Sequence, residues 1–345
     1  MKKTLVALAA LAAASAFAQS SVTLYGTVDA TLQYGSGDVA NKTALGNSGL
    51  NSSELGFKGV EDLGGGLKAG FILAAGVNND NGTGASTNTN NQASGSSASG
   101  GLVFNRRSYL QLFGGFGEIR LGRDYTPAFW LEAITDPMGI NGVGTSRAFI
   151  GGAAYTGAVA VRASNSIGWL SPKMSGFGVW LQGYMGENLS TAASNAGNGG
   201  SLLLSYGAGP LSLNLGYGST TTGVGTDQQV TNFGGTYNFG AAAVNAYYQK
   251  NQATGMPDIT GYLVGGSVPM GPGLIRGSYS RTDNNTASTN QFALGYVYNF
   301  SKMTQMYATF ATVSNDGGAA SALNGAVTKA NGSSSGFDFG VSKKF

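Results

Sequence analysis

Hydrophobic and polar positions alternate one by one over long stretches of the chain. From residue 22 to 34 the even positions read Val22, Leu24, Gly26, Val28, Ala30, Leu32 and Tyr34, and the odd positions Thr23, Tyr25, Thr27, Asp29, Thr31 and Gln33. A period of two with one apolar and one polar face predicts a strand lying between two different environments. The stretch exceeds the five or six residues usual in soluble sheets. The same alternation returns at 67–78, 177–184, 211–217, 291–300 and 337–342. Between these segments short turns (61–66, 114–117, 171–176, 207–210, 240–241, 269–273, 301–304) take turns with long polar loops (35–50, 79–101, 189–200, 220–228, 282–289, 315–332). Turns on one side and long loops on the other describe an outer-membrane β-barrel.

Sixteen antiparallel strands are expected, starting near Val22, Ser53, Leu67, Val103, Glu118, Gly157, Phe177, Ser201, Leu211, Gln229, Ala242, Asp258, Leu274, Asn290, Gln305 and Ser335. Eight strands would demand very long loops and twenty-two almost none; a barrel of sixteen to eighteen encloses an aqueous channel. One connection, 125–156, is not polar filler: it carries Pro127, Phe129, Trp130, Leu131, Glu132, Asp136, Pro137 and Met138. So dense an apolar content predicts a loop folded back into the barrel, where it narrows the pore.

The start of the chain is different in kind. Lys2 and Lys3 precede an apolar run from Thr4 to Ala14, and Ala16-Phe17-Ala18 precedes Gln19. This is the pattern of a secretory signal peptide over 1–18, too short for a membrane anchor, with the barrel domain at 19–345. Two of the 19 basic side chains leave with it, so the mature chain balances its 16 acidic ones to within one charge. That balance offers nothing to nucleic acid.

Composition narrows the chemistry. Charged residues are only 10% and glycine numbers 58 of 345. There is no Cys and no His, which removes disulfides, thiolate and Ser-His catalysis and His or Cys metal sites. Gly223-Val224-Gly225 lacks the strand–helix setting of a nucleotide loop, and the acidic residues have no calcium-loop spacing. Neither an enzyme nor a cofactor is expected.

Charge near the narrowest point sets the selectivity of a pore. Glu54 and Lys58 share the polar parity of the second strand, as Arg120 does with Glu118, and Arg276 also reads as luminal. Arg107 and Arg123 read as outward or at strand ends, at a membrane interface or a subunit contact.

Several pieces together resemble the Gram-negative general porins with beta-proteobacterial members. They are Ser21-Val22-Thr23-Leu24-Tyr25-Gly26, Leu55-Gly56-Phe57-Lys58-Gly59 with Glu61-Asp62-Leu63-Gly64, and Phe104-Asn105-Arg106. Further on come Leu121-Gly122-Arg123 with Tyr125-Thr126-Pro127, Asp136-Pro137-Met138-Gly139, Arg162 with Asn165-Ser166-Ile167, and the terminal Phe345. The resemblance implies a homotrimer of sixteen-stranded barrels in outer-membrane lipid, passing small hydrophilic solutes and ions. It implies an arginine ladder containing Arg106 and Arg162 opposite Glu132 and Asp136 on the third extracellular loop, and it favours a subunit contact for Arg123. The family's usual arginine before Leu55 is here Glu54. Lys58, Arg106, Arg120 and Arg162 against Glu54, Glu132 and Asp136 leave one positive charge, so a weak anion preference or near-neutrality is expected. A substrate-specific channel is the alternative, with Trp180 and Tyr184 at luminal parity as an aromatic track. A surface adhesin or secreted solenoid fits less well, because the repeat is irregular and one face of each strand is polar.

Overall fold

The computed structural model describes residues 21–98, 100–148, 150 and 159–345. The expected leader, 1–18, and the expected strand start at Gly157 lie outside the described residues. One sheet of eighteen strands closes on itself. Two of them are short loop pieces, Lys42–Asn47 and Thr83–Gly84. The other sixteen form the wall: β1 (Ser21–Gly37), β2 (Glu54–Gly64), β3 (Leu67–Asn78), β4 (Arg107–Gly114), β5 (Gly117–Tyr125), β6 (Arg162–Leu170), β7 (Phe177–Tyr184) and β8 (Gly199–Ala208). The second half is β9 (Leu211–Gly223), β10 (Thr226–Asn238), β11 (Ala243–Ala253), β12 (Ile259–Met270), β13 (Gly273–Asp283), β14 (Ser288–Asn299), β15 (Thr304–Asp316) and β16 (Ser333–Lys344).

Each strand pairs antiparallel with its neighbour in the chain, and β1 pairs with β16 from Thr27↔Lys344 to Gly37↔Ser334. Closure leaves the wall no free sheet edge, which hydrocarbon requires. The last residue joins the ring, with Gly26 and Phe345 exchanging N–H···O bonds of 3.1 Å in both directions.

The alternation sorts as expected. Leu24, Leu32, Leu110, Leu121, Phe233, Leu294 and Phe310 are exposed on the outer face, while Asp29, Thr31, Asn232, Ser280, Gln291 and Asp338 are buried inside. Phe116, Phe239 and Phe300 stand exposed beside short turns, and Tyr217, Tyr262 and Tyr279 toward the long loops. Aromatic rings at both rims suit the two membrane–water interfaces. Small outward residues have a local cause at two positions. A Cβ on Gly26 would lie 2.5 Å from the Phe345 ring, and one on Gly59 would lie 2.5 Å from the Phe71 ring.

The expected start at Val103 is four residues early. Asn105 N–H bonds back to Val103 O at 2.8 Å, so this run-in is a local turn and the ladder begins at Arg107.

A second departure shapes the lumen. The upper part of β1 pairs with Lys42–Asn47, ending at Ala30↔Asn47, and the lower part pairs with β2 from Thr27↔Glu54. Residues 48–53 have no place in either ladder and turn inward around Asp29. Its carboxylate accepts N–H bonds from Gly49 (3.0 Å), Leu50 (3.2 Å) and Asn51 (2.7 Å), and the Tyr307 hydroxyl at 2.5 Å. Asp29→Ala strands these donors, each costing about 1–3 kcal/mol when buried. The variant is expected to lose at least about 3 kcal/mol in urea unfolding from detergent, and limited proteolysis should newly cleave at 48–53. Unchanged unfolding and no new cleavage would remove Asp29 from this role.

Candidate pore constriction

The connection between β5 and β6 crosses the lumen. Thr126 bonds through its N–H to Val161 O at 3.0 Å, and Pro127 then opens helix α1 (Pro127–Thr135). A proline in the first turn costs no helical hydrogen bond. The helix packs on the inner face of the wall. Ala128 N–H donates to Ser201 Oγ on β8 at 3.0 Å, and Asn232 Nδ2 on β10 donates to Ala128 O at 2.9 Å. Phe129, Leu131 and Ile150 bury against Trp180, Leu203, Tyr247 and Leu263. Leu203 and Leu263 stand at inward positions, where the alternation calls for polar residues. Leu202-Leu203-Leu204 and Leu263-Val264 are thus the sequence marks of a covered patch, a signal the alternation alone passes over.

The described residues beyond the helix are pinned strand by strand. Arg276 on β13 donates to Met138 O at 3.0 Å, Gln291 on β14 to Val143 O at 3.0 Å, and Asp338 on β16 accepts Val143 N–H at 2.7 Å. Asn324 of the last loop donates to the same Asp338 carboxylate at 2.8 Å. Ser52 of the inward segment donates to Asn141 Oδ1 at 3.1 Å. Arg276 is therefore a loop anchor and not an open luminal charge.

The basic cluster lies on the opposite wall. Arg106 and Arg162 both donate to the Tyr125 hydroxyl, at 2.8 and 3.0 Å. The guanidinium of Arg162 lies 4.5 Å and that of Arg107 4.8 Å from the centre of the Tyr125 ring. Arg107 also lies 5.8 Å from the Trp130 ring of α1. Of its two expected placements, the strand end holds and the outward direction is corrected. Leu110 is exposed on the outer face, and counting back from it along the true strand sets Arg107 inward. Arg106 precedes the strand, so both arginines reach the lumen. Glu54 pairs with Arg106 at 2.6 Å. Lys58 is exposed, with its ammonium 5.5 Å from the Tyr25 ring.

Other expected members of the cluster stand elsewhere. Arg120 is held by Glu118 and Asp124, each at 2.8 Å, and lies over the rings of Tyr109 and Trp180. Its charge is locally neutralised by Glu118, which shares its parity, and by Asp124, neither of which entered the charge count. Asp136 turns back on its own loop, accepting from Met138 N (2.7 Å), Ser146 N (2.9 Å) and Ser146 Oγ (2.7 Å). Glu132 sits beneath the helix, beside a cavity of about 50 Å³ lined also by Asn232, Gln249 and Asn251. Neither carboxylate faces Arg106 or Arg162, because the helical turn that presents Trp130 to the arginines directs Glu132 toward the wall. Trp180 and Tyr184 are buried too, Trp180 against Trp130 and Tyr184 bonded to Thr220, so they form no open aromatic track. Arg123 donates to Asn105 O (2.7 Å), Asn88 O (3.1 Å) and Ser164 Oγ (2.8 Å), which ties the second long loop to its own barrel.

Burial pushes the Glu132 carboxyl up to about 7, with nearby Asp136 adding to it and Arg147 opposing. A raised carboxyl favours the folded loop while protonated. This stabilisation is complete below the unfolded value and is lost as pH rises through about 7. The shift corresponds to on the order of 3 kcal/mol for packing of α1. Proteolysis within the loop is expected to accelerate between about pH 5 and pH 7, and Glu132→Gln should abolish that pH dependence. Equal cleavage of both proteins across the range would contradict it.

Comparison with known proteins agrees with this architecture. A model of the Gram-negative porin family matches residues 4–318. Outer membrane porin protein 32 of Delftia acidovorans is 37% identical over 332 residues, covering 91% of this chain and 90% of that protein. An outer membrane porin protein of Bordetella pertussis is 28% identical over 375 residues, covering 89% and 93%. Among solved structures, the anion-selective porin from Comamonas acidovorans matches with a TM-score of 0.82 at 32% identity, covering 95% of this chain and 100% of that one. The chain therefore belongs to the Gram-negative porin family and resides in the bacterial outer membrane.

Proposed function

We propose that each barrel is a passive diffusion channel for small hydrophilic solutes and ions, with a weak preference for anions. The observation that carries the anion preference is the gathering of Arg106, Arg107 and Arg162 on Tyr125. The acidic side chains of the facing loop are meanwhile buried in other contacts. Low-dielectric walls focus the field of such a cluster, so a charge here counts for more than one on a loop tip. The 32%-identical solved relative is described as anion-selective. Glu54 tempers the effect by neutralising Arg106 at 2.6 Å, and Asp124 stands 3.7 Å from Arg107. The channel passes solutes without binding them tightly and needs no cofactor.

The same reading makes the protein a homotrimer. It rests on the resemblance to general porins and on the small outward residues Ala30 and Ala69 of the early strands. Gly26 and Gly59 lend it less, because rings of the same chain fill the space above them.

Selectivity is tested by the reversal potential of single channels in a salt gradient. Arg106→Glu changes the local charge by two units and should move it toward cations. Glu54→Arg should move it toward anions. Both shifts should shrink in 1 M salt, where the Debye length is about 3 Å against about 10 Å at 0.1 M. Reversal of Asp80 or Asp316, at the long-loop end of the barrel, should shift it much less. Equal shifts from the loop reversals would displace the constriction from Arg106. For the trimer, unheated protein extracted in mild detergent should run near three chain masses, and a uniform monomer would count against it.

A further inference from the structure

The charged side chains outside the constriction are sorted along the barrel axis. The end with the long loops, extracellular in barrels of this kind, carries Asp38, Asp80, Glu187, Asp227 and Asp316 exposed, against exposed Lys42 and Lys329. Two further carboxylates there are already matched, Asp258 by Lys250 at 2.7 Å and Asp283 by Arg281 at 2.9 Å. The Thr328 hydroxyl and Ser333 N–H hold Asp38 below the usual carboxylate range, so this side chain keeps its charge in mild acid.

The opposite end carries Lys58, Lys68, Lys173, Lys302, Lys343 and Lys344 against Glu61 and Asp62. Lys173 and Lys302 lie exposed in the short turns that follow β6 and β14, and Lys344 N–H bonds to Met303 O at 2.8 Å, which ties the terminal lysines to the same rim. Lys68 pairs with Asp62 in the β2–β3 ladder, and Lys344 shares the inward parity of Asp338 and Ser342. Between the two ends stands the arginine cluster on Tyr125, which extends the positive half up to the loop constriction. A nearly neutral chain thus holds a negative mouth and a positive exit.

We propose that this sorting makes the pore a directional conductor, passing more current when the extracellular side is positive. The negative mouth enriches mobile cations and the positive half enriches mobile anions. A field pointing from outside to periplasm drives both enriched populations toward the narrow middle and fills it with carriers. The reverse field draws both away and depletes it. Anions consequently leave the periplasmic half toward the outside more readily than they enter from the loop side under a field of equal size. The proposal rests on the channel reading, but it depends on where charge lies along the axis, whereas ion preference depends on the sum near the constriction.

The test is the current–voltage curve of single channels in identical salt on both sides. Orientation is set by Ser190→Cys in an exposed extracellular loop, the only thiol in an otherwise Cys-free chain, biotinylated and probed with streptavidin from one compartment. In about 0.01 M potassium chloride, where the Debye length is about 30 Å, current should be about twofold larger with the long-loop side positive. In 1 M salt the ratio should fall to unity, since screening then acts within about 3 Å. Lys173→Glu with Lys302→Glu should lower the low-salt ratio, and so should Asp80→Lys with Asp316→Lys. Both pairs are exposed and leave the constriction intact, so the reversal potential in a gradient should change far less than in Arg106→Glu. A symmetric low-salt curve from a channel that still prefers anions overturns this inference and leaves the channel reading standing. So does a ratio of the opposite sense, or one that survives 1 M salt or both charge reversals. A protein that passes no current removes both.

Discussion

A strand in hydrocarbon has no water to bond to, so every backbone N–H and C=O of the wall must find a partner in the next strand. The β1–β16 pairing and the Gly26–Phe345 bonds close that ring. Once closed, the wall has two faces and no edge. One meets lipid and must be apolar, and the other encloses water and can carry charge. The period-two alternation, the buried Asp29 and Asp338, and the exposed Leu24 and Leu294 all follow from this one condition.

A bare sixteen-stranded ring would be a wide, featureless pore. The chain narrows it by folding loop segments inward and fixing them with luminal carboxylates. Asp29 holds residues 48–53 through three backbone N–H groups and Tyr307. Asp338 joins the third loop, through Val143, to the last loop, through Asn324. Asp136 folds its own loop around Ser146. A carboxylate bonded to backbone N–H groups under a loop is shielded from the water-filled passage. Acidic residues are thereby spent on architecture. Arg106, Arg107 and Arg162 gather on one phenol ring and one hydroxyl, with Glu54 and Asp124 beside the first two. On the proposed reading, ion preference arises from which sign of charge the loop anchors consume rather than from any excess in composition.

The same division separates what is rigid from what responds to conditions. The wall depends on strand pairing and apolar burial. The packing of α1 depends also on a carboxyl enclosed beside polar amides, Asn232 and Gln249, with no ion pair of its own among the described residues. The mouths depend on exposed charges, which salt screens readily.

The sequence by itself determined the barrel, its strand number and the faces of its strands. A two-residue period with long and short connections in turn admits few other solutions, and expected starts such as Leu67, Phe177 and Leu211 coincide with the observed ones. It also marked the third connection as a segment folded against the wall, because its aromatic density has no use in water. Tertiary structure alone decided the site. Arg107 does stand at a strand end, but parity could not tell that its guanidinium reaches Tyr125 and Trp130 inside the barrel. Charge counting assumes that every luminal charge is free. Glu118 and Asp124, on the same face of the same strand, instead hold Arg120, and the loop fold turned Glu132 and Asp136 away from the arginines. Alternation along a strand is a local property that each residue carries with it. Which carboxylate meets Arg106, and which strand holds Val143, depends on contacts between residues tens to hundreds of positions apart, and those exist only once the ring has closed and the loops have settled inside it.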